Sequence, residues 1–154
     1  MPIVGPAFRW TSVWRDGGTL LASPSVGSVL QKICIVDDDE AVRDSLRALL
    51  ETHLLEVCEF GSADALLAHE RIGAFACFIV DFQMRGMNGL ELLEALRARG
   101  AAQRAIVISA VKAAASDERM DRAGVIAWLV KPVPERELMV WINRAIEPAP
   151  TTLQ

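Results

Sequence analysis

The sequence carries no run of lysine or arginine, and with 16 basic against 20 acidic residues its formal net charge is -4. That balance lacks the basic footprint a phosphate backbone requires, so no direct nucleic-acid binding is expected. Long apolar stretches are missing too. The longest, AFACFIV from Ala74 to Val80, falls far short of the roughly 18 to 20 residues that span a bilayer, so no membrane contact is expected. The first residues, MPIVGPAFRWTSVWRDGG, contain no basic segment leading into an apolar one. A secretory signal is therefore not supported, and the expected compartment is cytoplasmic. Cysteine is scarce: Cys34, Cys58 and Cys77 are odd in number and each stands singly in an apolar stretch. This pattern fits reduced core residues and argues against a disulfide framework or a thiolate metal site. The two histidines, His53 and His69, are solitary and fall at predicted helix ends, where a surface or capping role is expected. Internal repeats and low-complexity blocks are also lacking.

What is present describes one ordinary domain. A chain of 154 residues and 16.8 kDa is long enough for one sizeable core and too short for two. Its 52% hydrophobic and 23% charged content is that of a folded globular protein. Residues 1-30 are rich in Gly, Pro, Ser and Thr without sustained periodicity, and read as an irregular extension. Trp10 and Trp14, four residues apart, could dock there as a helical turn. Residues 148-154 form a Pro-rich tail, which leaves 31-147 as the domain.

From Lys32 onward, short apolar runs alternate with helix-period segments. KICIV precedes EAVRDSLRALLETH, where Val42, Leu46, Leu49 and Leu50 share one helical face. LEVCEF precedes SADALLAHE, and AFACFIV precedes GLELLEALRARG, whose stripe of Leu92, Leu93 and Leu96 is ended by Gly100. AIVIS precedes a weakly apolar helix from Ser116 to Ala123. VIAWLV precedes PERELMVWINRAIE, which Pro134 is expected to open from a first-turn position. Such alternation predicts an α/β fold, a doubly wound five-stranded parallel sheet with helices on both faces, because each parallel pair needs a crossover. Functional groups in such sheets gather outside the carboxyl ends of the strands.

Asp37 and Asp38 are predicted at the end of the first strand, Asp81 at the end of the third, Ser109 of the fourth and Lys131 of the fifth. Three converging carboxylates repel one another unless a cation offsets them. A hard divalent ion answers that need, since Mg2+ takes oxygen ligands, only one or two of them carboxylates as a rule.

At these residues the sequence resembles the receiver domain of two-component response regulators. The resemblance rests on the acidic pair in IVDDD, the loop VDFQMRGMNGLELL, the hydroxyl in VISA and the ending LVKP, in that order, over about residues 32 to 147. It implies a flavodoxin-like sheet in the strand order 2-1-3-4-5. It also implies that Asp81 is a phosphoacceptor forming an aspartyl phosphate, with Mg2+ held by Asp38, by Asp37 through water, by Asp81 and by the Gln83 carbonyl. Lys131 would pair with Asp81 and then with the phosphoryl group. Ser109 would donate its hydroxyl to that group as the switch residue, and Trp128 occupies the aromatic switch position. Gln83 and Val111 stand where the family tunes the phosphoryl lifetime, and Lys131-Pro132 is a candidate cis peptide.

The implied partners are a sensor histidine kinase or histidine phosphotransfer protein and a downstream protein target. No catalysis is implied beyond the chain's own phosphoryl transfer and dephosphorylation. In the last helix Leu138, Ile142 and Ala145 form the inward stripe, with Val140 opposite and Trp141 at its edge. Because the family it resembles commonly signals through the face of the fourth helix, fifth strand and fifth helix, the resemblance makes that face a candidate homodimer surface. Three positions depart from the family pattern: Arg85 replaces the usual Pro, Ser109 the commoner Thr, and Trp128 the usual Phe or Tyr. With only EPAPTTLQ after Ile146, the expectation is a stand-alone phosphoprotein signalling by contact. Alternatives are a phosphate sink, a phosphorylation-independent adaptor, the receiver fragment of a longer transcription regulator and, more remotely, a phosphohydrolase.

Overall fold

A computed structural model describes residues 30 to 113 and 115 to 147. Trp10, Trp14 and the tail at 148-154 lie outside the described residues. Five strands and five helices alternate: β1 (Lys32–Val36), α1 (Glu40–Thr52), β2 (Glu56–Phe60), α2 (Ala63–Leu67), β3 (Cys77–Asp81), α3 (Gly89–Ala98), β4 (Arg104–Ser109), α4 (Asp117–Arg122), β5 (Val125–Val130) and α5 (Glu135–Ile146). A 3-10 turn, Ile72–Ala74, precedes β3. The strands form one parallel sheet in the order β2-β1-β3-β4-β5, the doubly wound arrangement expected.

Strand periodicity divides the apolar residues between two cores. Ile33, Ile35, Ile79, Ile106 and Leu129 face Leu50 of α1 and Leu138 and Ile142 of α5. Their neighbours Cys34, Val36, Phe78, Val80 and Val107 face Leu66 of α2 and Leu90, Leu93 and Leu96 of α3. Both sheet faces are therefore covered, as an all-parallel sheet requires. Cys34 and Cys77 sit in the two cores, and burial pushes the Cys77 thiol up to about 12, so both are uncharged packing residues.

The helix boundaries follow local chemistry. Asp39, Ser62, Asn88 and Ser116 each accept a backbone N–H at a helix start, and Asn88 with Glu91 forms a full capping box. At the end of α3 the Gly100 N–H bonds to Arg97 O and the Ala101 N–H to Leu96 O, with Gly100 at φ +92°. This is a glycine-terminated Schellman closure, the stop expected from the sequence.

Several boundaries differ from expectation, the largest in a strand being at AFACFIV, where Ala74 closes a 3-10 turn and β3 starts only at Cys77. The helix read over SADALLAHE ends at Leu67, because His69 leaves it to stack on Phe75 at 5.6 Å. The fourth helix is confined to Asp117–Arg122, with Ser116 and Ala123 as its caps. Pro134 is the cap before α5 rather than its first residue, with an extended ψ of 142°. Among the described residues no helix is long and apolar enough to cross a membrane.

Ile142 is fully buried beneath the sheet, whereas Val140, two residues away, is 45% exposed. Ile142→Ala should therefore cost about 2–5 kcal/mol by cavity formation, and Val140→Ala within about 0.5 kcal/mol. Chemical denaturation of the two variants checks this, and equal effects would contradict the orientation of α5.

Candidate functional site

The sheet delivers its polar residues to one edge. Asp37 and Asp38 follow β1 directly, Asp81 and Ser109 are the last residues of β3 and β4, and Lys131 follows β5. The register aligns them, pairing Val36 with Val80, Asp81 with Ile108 and Ser109 with Val130. The Lys131 N–H bonds to the Ser109 carbonyl at 2.8 Å, extending the ladder to the lysine. Because β1 and β3 are neighbours while the chain winds outward from them in both directions, this edge is the point where the strand order reverses.

Asp37, Asp38 and Asp81 each offer an oxygen, and these oxygens lie within 4.8 Å of one another. Asp37 and Asp81 are buried. Burial pushes both carboxyls above their ordinary 3.8. Nearby carboxylates add to the rise, while Lys131 and backbone donors oppose it. Lys131 Nζ stands 3.6 Å from Asp81 Oδ1, an ion pair just beyond hydrogen-bond reach. The Gln83 N–H donates to the same oxygen at 3.3 Å and the Asp39 N–H to Asp37 Oδ1 at 2.9 Å. An all-oxygen set of clustered, mutually repelling carboxylates fits a hard divalent cation such as Mg2+ and suits neither a soft ion nor an organic cofactor. Asp37, Asp38 and Asp81 are the side chains that could hold it.

Arg85, absent from the usual pattern, reaches toward this cluster. Its backbone N–H donates to Asp38 Oδ2 at 3.3 Å and its Nε lies 3.9 Å from the same oxygen, although the side chain is 94% exposed. Asp38, Arg85, Met84, Gly61 and Ser62 line an open cavity of about 290 Å3 beside the carboxylates.

The hydroxyl and aromatic candidates form a connected unit. The Val111 N–H donates to Ser109 Oγ at 3.1 Å, and the Val111 carbonyl accepts the indole N–H of Trp128 at 2.9 Å. The Trp128 ring is 4.8 Å from that of Phe82, the residue after Asp81. Ser109 and Trp128 thus both bond to the Val111 backbone, while Gln83 is exposed and meets the cluster through its own backbone N–H. The Lys131-Pro132 peptide is cis.

Two residues at the site escaped sequence reasoning. A Cβ at Gly89 would lie 2.5 Å from the Asp81 carbonyl oxygen and 2.9 Å from Val80 Cγ1. Glycine is therefore what lets α3 start against the end of β3, and the signal available was the NG pair at 88–89. Phe82 carried no signal, since an aromatic after a strand reads as ordinary packing. The histidines stay outside: His53 lies 3.3 Å from Glu135, and His69 packs with Phe60 and Phe75.

Comparison with known proteins places this geometry. The family description "Response regulator receiver domain" matches residues 33–143. The transcriptional regulatory protein TdiR of Thauera aromatica is 32% identical over 114 residues, covering 74% of this chain and 50% of TdiR. FixJ of Bradyrhizobium diazoefficiens is 30% identical over 117 residues, covering 76% and 57%. This chain thus spans about half the length of the curated relatives it matches. Among solved structures, the response regulator StyR superposes with a TM-score of 0.71 at 34% identity, covering 77% of this chain and 60% of that one. A CheY-like receiver domain protein of Methanospirillum hungatei gives 0.64 at 32% identity, covering 77% and 94%.

Because burial raises the Asp37 carboxyl above 3.8 in the folded state, the native protein binds protons more readily there than the unfolded chain. Its ionisation then opposes folding, and the penalty grows as pH rises through the window above 3.8. Asp37→Asn keeps the acceptor for the Asp39 N–H and removes the charge. Without metal, the variant should be more stable than the parent at pH 7, and the difference should vanish as pH falls below 3.8. Urea denaturation across that range checks the sign, and a less stable variant at pH 7 would refute it.

Proposed function

The chain belongs to the response regulator receiver domain family, and on that premise we propose that Asp81 is its phosphoacceptor and residues 31–147 its working unit. The observation that carries this reading is the convergence of Asp37, Asp38 and Asp81 within 4.8 Å, with Lys131 Nζ 3.6 Å from Asp81. An Asp81 carboxylate oxygen forms a bond to phosphorus as the bond from phosphorus to the donor breaks, and the donor leaves with the electron pair. Asp38, Asp37 through water, Asp81 and the Gln83 carbonyl are the proposed Mg2+ ligands. The ion would supply neutralisation of phosphoryl charge. Lys131 already faces Asp81 and is placed to follow the charge onto the phosphoryl oxygens.

Ser109 is the proposed switch hydroxyl. Its Oγ accepts from Val111, which leaves its own proton free to donate to a phosphoryl oxygen. Moving that hydroxyl disturbs a segment whose Val111 carbonyl is held by Trp128. Trp128 is therefore tied to the acceptor by Phe82 on one side and by the Ser109 segment on the other. Gln83, whose N–H bonds to Asp81, and Val111, whose N–H bonds to Ser109, are proposed to tune phosphoryl lifetime through access of water.

The proposed phosphoryl source is a sensor histidine kinase or histidine phosphotransfer protein, and the output a protein contact in the cytoplasm. The face of α4, β5 and α5 is available for that contact or for a homodimer. It presents Val130 and Val140 at 44% and 45% exposure, with Arg144 stacked over Trp141 at 5.0 Å. Since the chain spans about half of relatives named as transcriptional regulators, a second reading is that it is the receiver portion of such a regulator.

Incubation with acetyl phosphate and Mg2+, followed by intact-protein mass measurement, should give a single phosphoryl adduct. The adduct should disappear in Asp81→Asn and when the ion is chelated; an adduct independent of Asp81 would overturn the assignment. Tryptophan emission should change on phosphorylation in the parent and in Trp141→Phe but not in Trp128→Phe. Persistence of the change in Trp128→Phe would remove Trp128 from the switch.

A further inference from the structure

Arg43 is not among the residues that carry the family resemblance, and in the sequence it is one charge on the polar side of an amphipathic helix. In the structure it lies behind the carboxylate cluster. Its Nη1 donates to the backbone carbonyl of Asp37 at 2.6 Å, and its Nε donates to Glu59 Oε1 in β2 at 3.0 Å. The side chains of Arg43 and Glu59 are only 17% and 22% exposed. Arg47, one turn further along α1, bonds to the other Glu59 oxygen and to Glu51 but makes no bond to Asp37. Gly61 faces the guanidinium, where a Cβ would stand 3.3 Å from Nη1.

The Asp37 peptide is thereby held at both ends. Its N–H bonds to the Phe60 carbonyl at 3.2 Å and its carbonyl accepts from Arg43, while Oδ1 accepts the Asp39 N–H. Asp37, Asp38 and Asp81 repel one another, and an untethered β1-α1 connection would relax by moving its two carboxylates away from Asp81. A monodentate surface ion pair contributes little, but a half-buried arginine spending one donor on a carboxylate and another on a site carbonyl does something else. It fixes where the carbonyl, and with it the Asp37 and Asp38 carboxylates, can be.

We propose that Arg43, oriented by Glu59, is a positioning residue that clamps the Asp37 peptide and so presets the Asp37 and Asp38 carboxylates for the divalent ion. The proposal rests on the receiver reading above. It also distinguishes Arg43 from Arg47, which shares Glu59 but not Asp37. Lysine cannot replace Arg43, because a single ammonium lacks the fork that reaches both acceptors.

The test is direct calorimetric titration of Mg2+ into the full chain, with stability measured in parallel by denaturation. Arg43→Lys and Glu59→Gln should each weaken Mg2+ binding about tenfold, as loss of an orienting partner does at other metal sites. Arg47→Lys should stay within about twofold of the parent by the same measure. In acetyl phosphate reactions the Mg2+ concentration for half-maximal rate should rise in Arg43→Lys while the rate at saturating Mg2+ is retained. A purely structural role would lower stability without moving either Mg2+ value. Folded Arg43→Lys with unchanged Mg2+ affinity, or Arg47→Lys weakened as strongly as Arg43→Lys, would overturn the proposal and leave the receiver reading standing. Absence of Mg2+ binding by the parent would overturn both. If Arg43→Lys does not fold, Glu59→Gln and Gly61→Ala, which crowds the guanidinium, decide by the same criteria.

Discussion

Three carboxylates held within 4.8 Å of one another, two of them buried, are under electrostatic tension that the surrounding structure must contain. Their positions are imposed by backbone on all sides. Asp81 is the last residue of a strand paired with β1 and β4, and Asp37 and Asp38 follow a strand buried from Ile33 to Val36. Lys131 is carried to the same edge by a backbone bond to Ser109. A site built at strand ends in this way is positioned more precisely than one carried on loops alone. Burial raises the Asp37 and Asp81 carboxyls, so the metal-free fold works against its own ionisation. A cation entering the cluster relieves the same repulsion, which links ion binding to stability in one sense only.

The site communicates with its surroundings through few contacts. Phe82 immediately follows Asp81 and packs on Trp128, while Ser109 and Trp128 hold opposite ends of Val111. From the residue after Asp81, contacts thus run through two aromatic rings and one peptide to the Ser109 hydroxyl. The indole N–H matters here because it is a directional donor that a phenyl ring lacks. A Trp at this position is anchored to the segment as well as packed beside it. The Trp128 bond to the Val111 carbonyl thus links β5 to the residues just after β4.

Relatedness sets the scale of what this domain does. The match to the receiver family covers residues 33–143, and the curated relatives are about twice as long as the part aligned. The aligned portion contains the acidic cluster, the lysine, the hydroxyl and the aromatic. Phosphoryl chemistry and its first conformational consequence can therefore reside within this portion, whatever it acts upon.

Much of this was legible in order along the chain. The alternation of apolar runs with helix-period segments specified five βα units, because strand and helix periods differ physically and the central strands read as short, nearly continuous apolar runs. The polar residues at the ends of those runs, Asp37, Asp38, Asp81, Ser109 and Lys131, were visible as interruptions of apolar stretches. The helix ends near His69 and Pro134 were less legible, since stacking on Phe75 and an extended backbone at the proline depend on neighbours and local geometry rather than on periodicity. Local pattern along the chain was enough to specify the five strands, the five helices and the edge to which each functional residue belongs. Which groups meet was settled by packing. The Arg43 contact with Asp37, the close approach of Gly89 to Asp81 and the Trp128 bond to Val111 join elements whose spacing along the chain carries no period, and are fixed only when the helices close on the sheet.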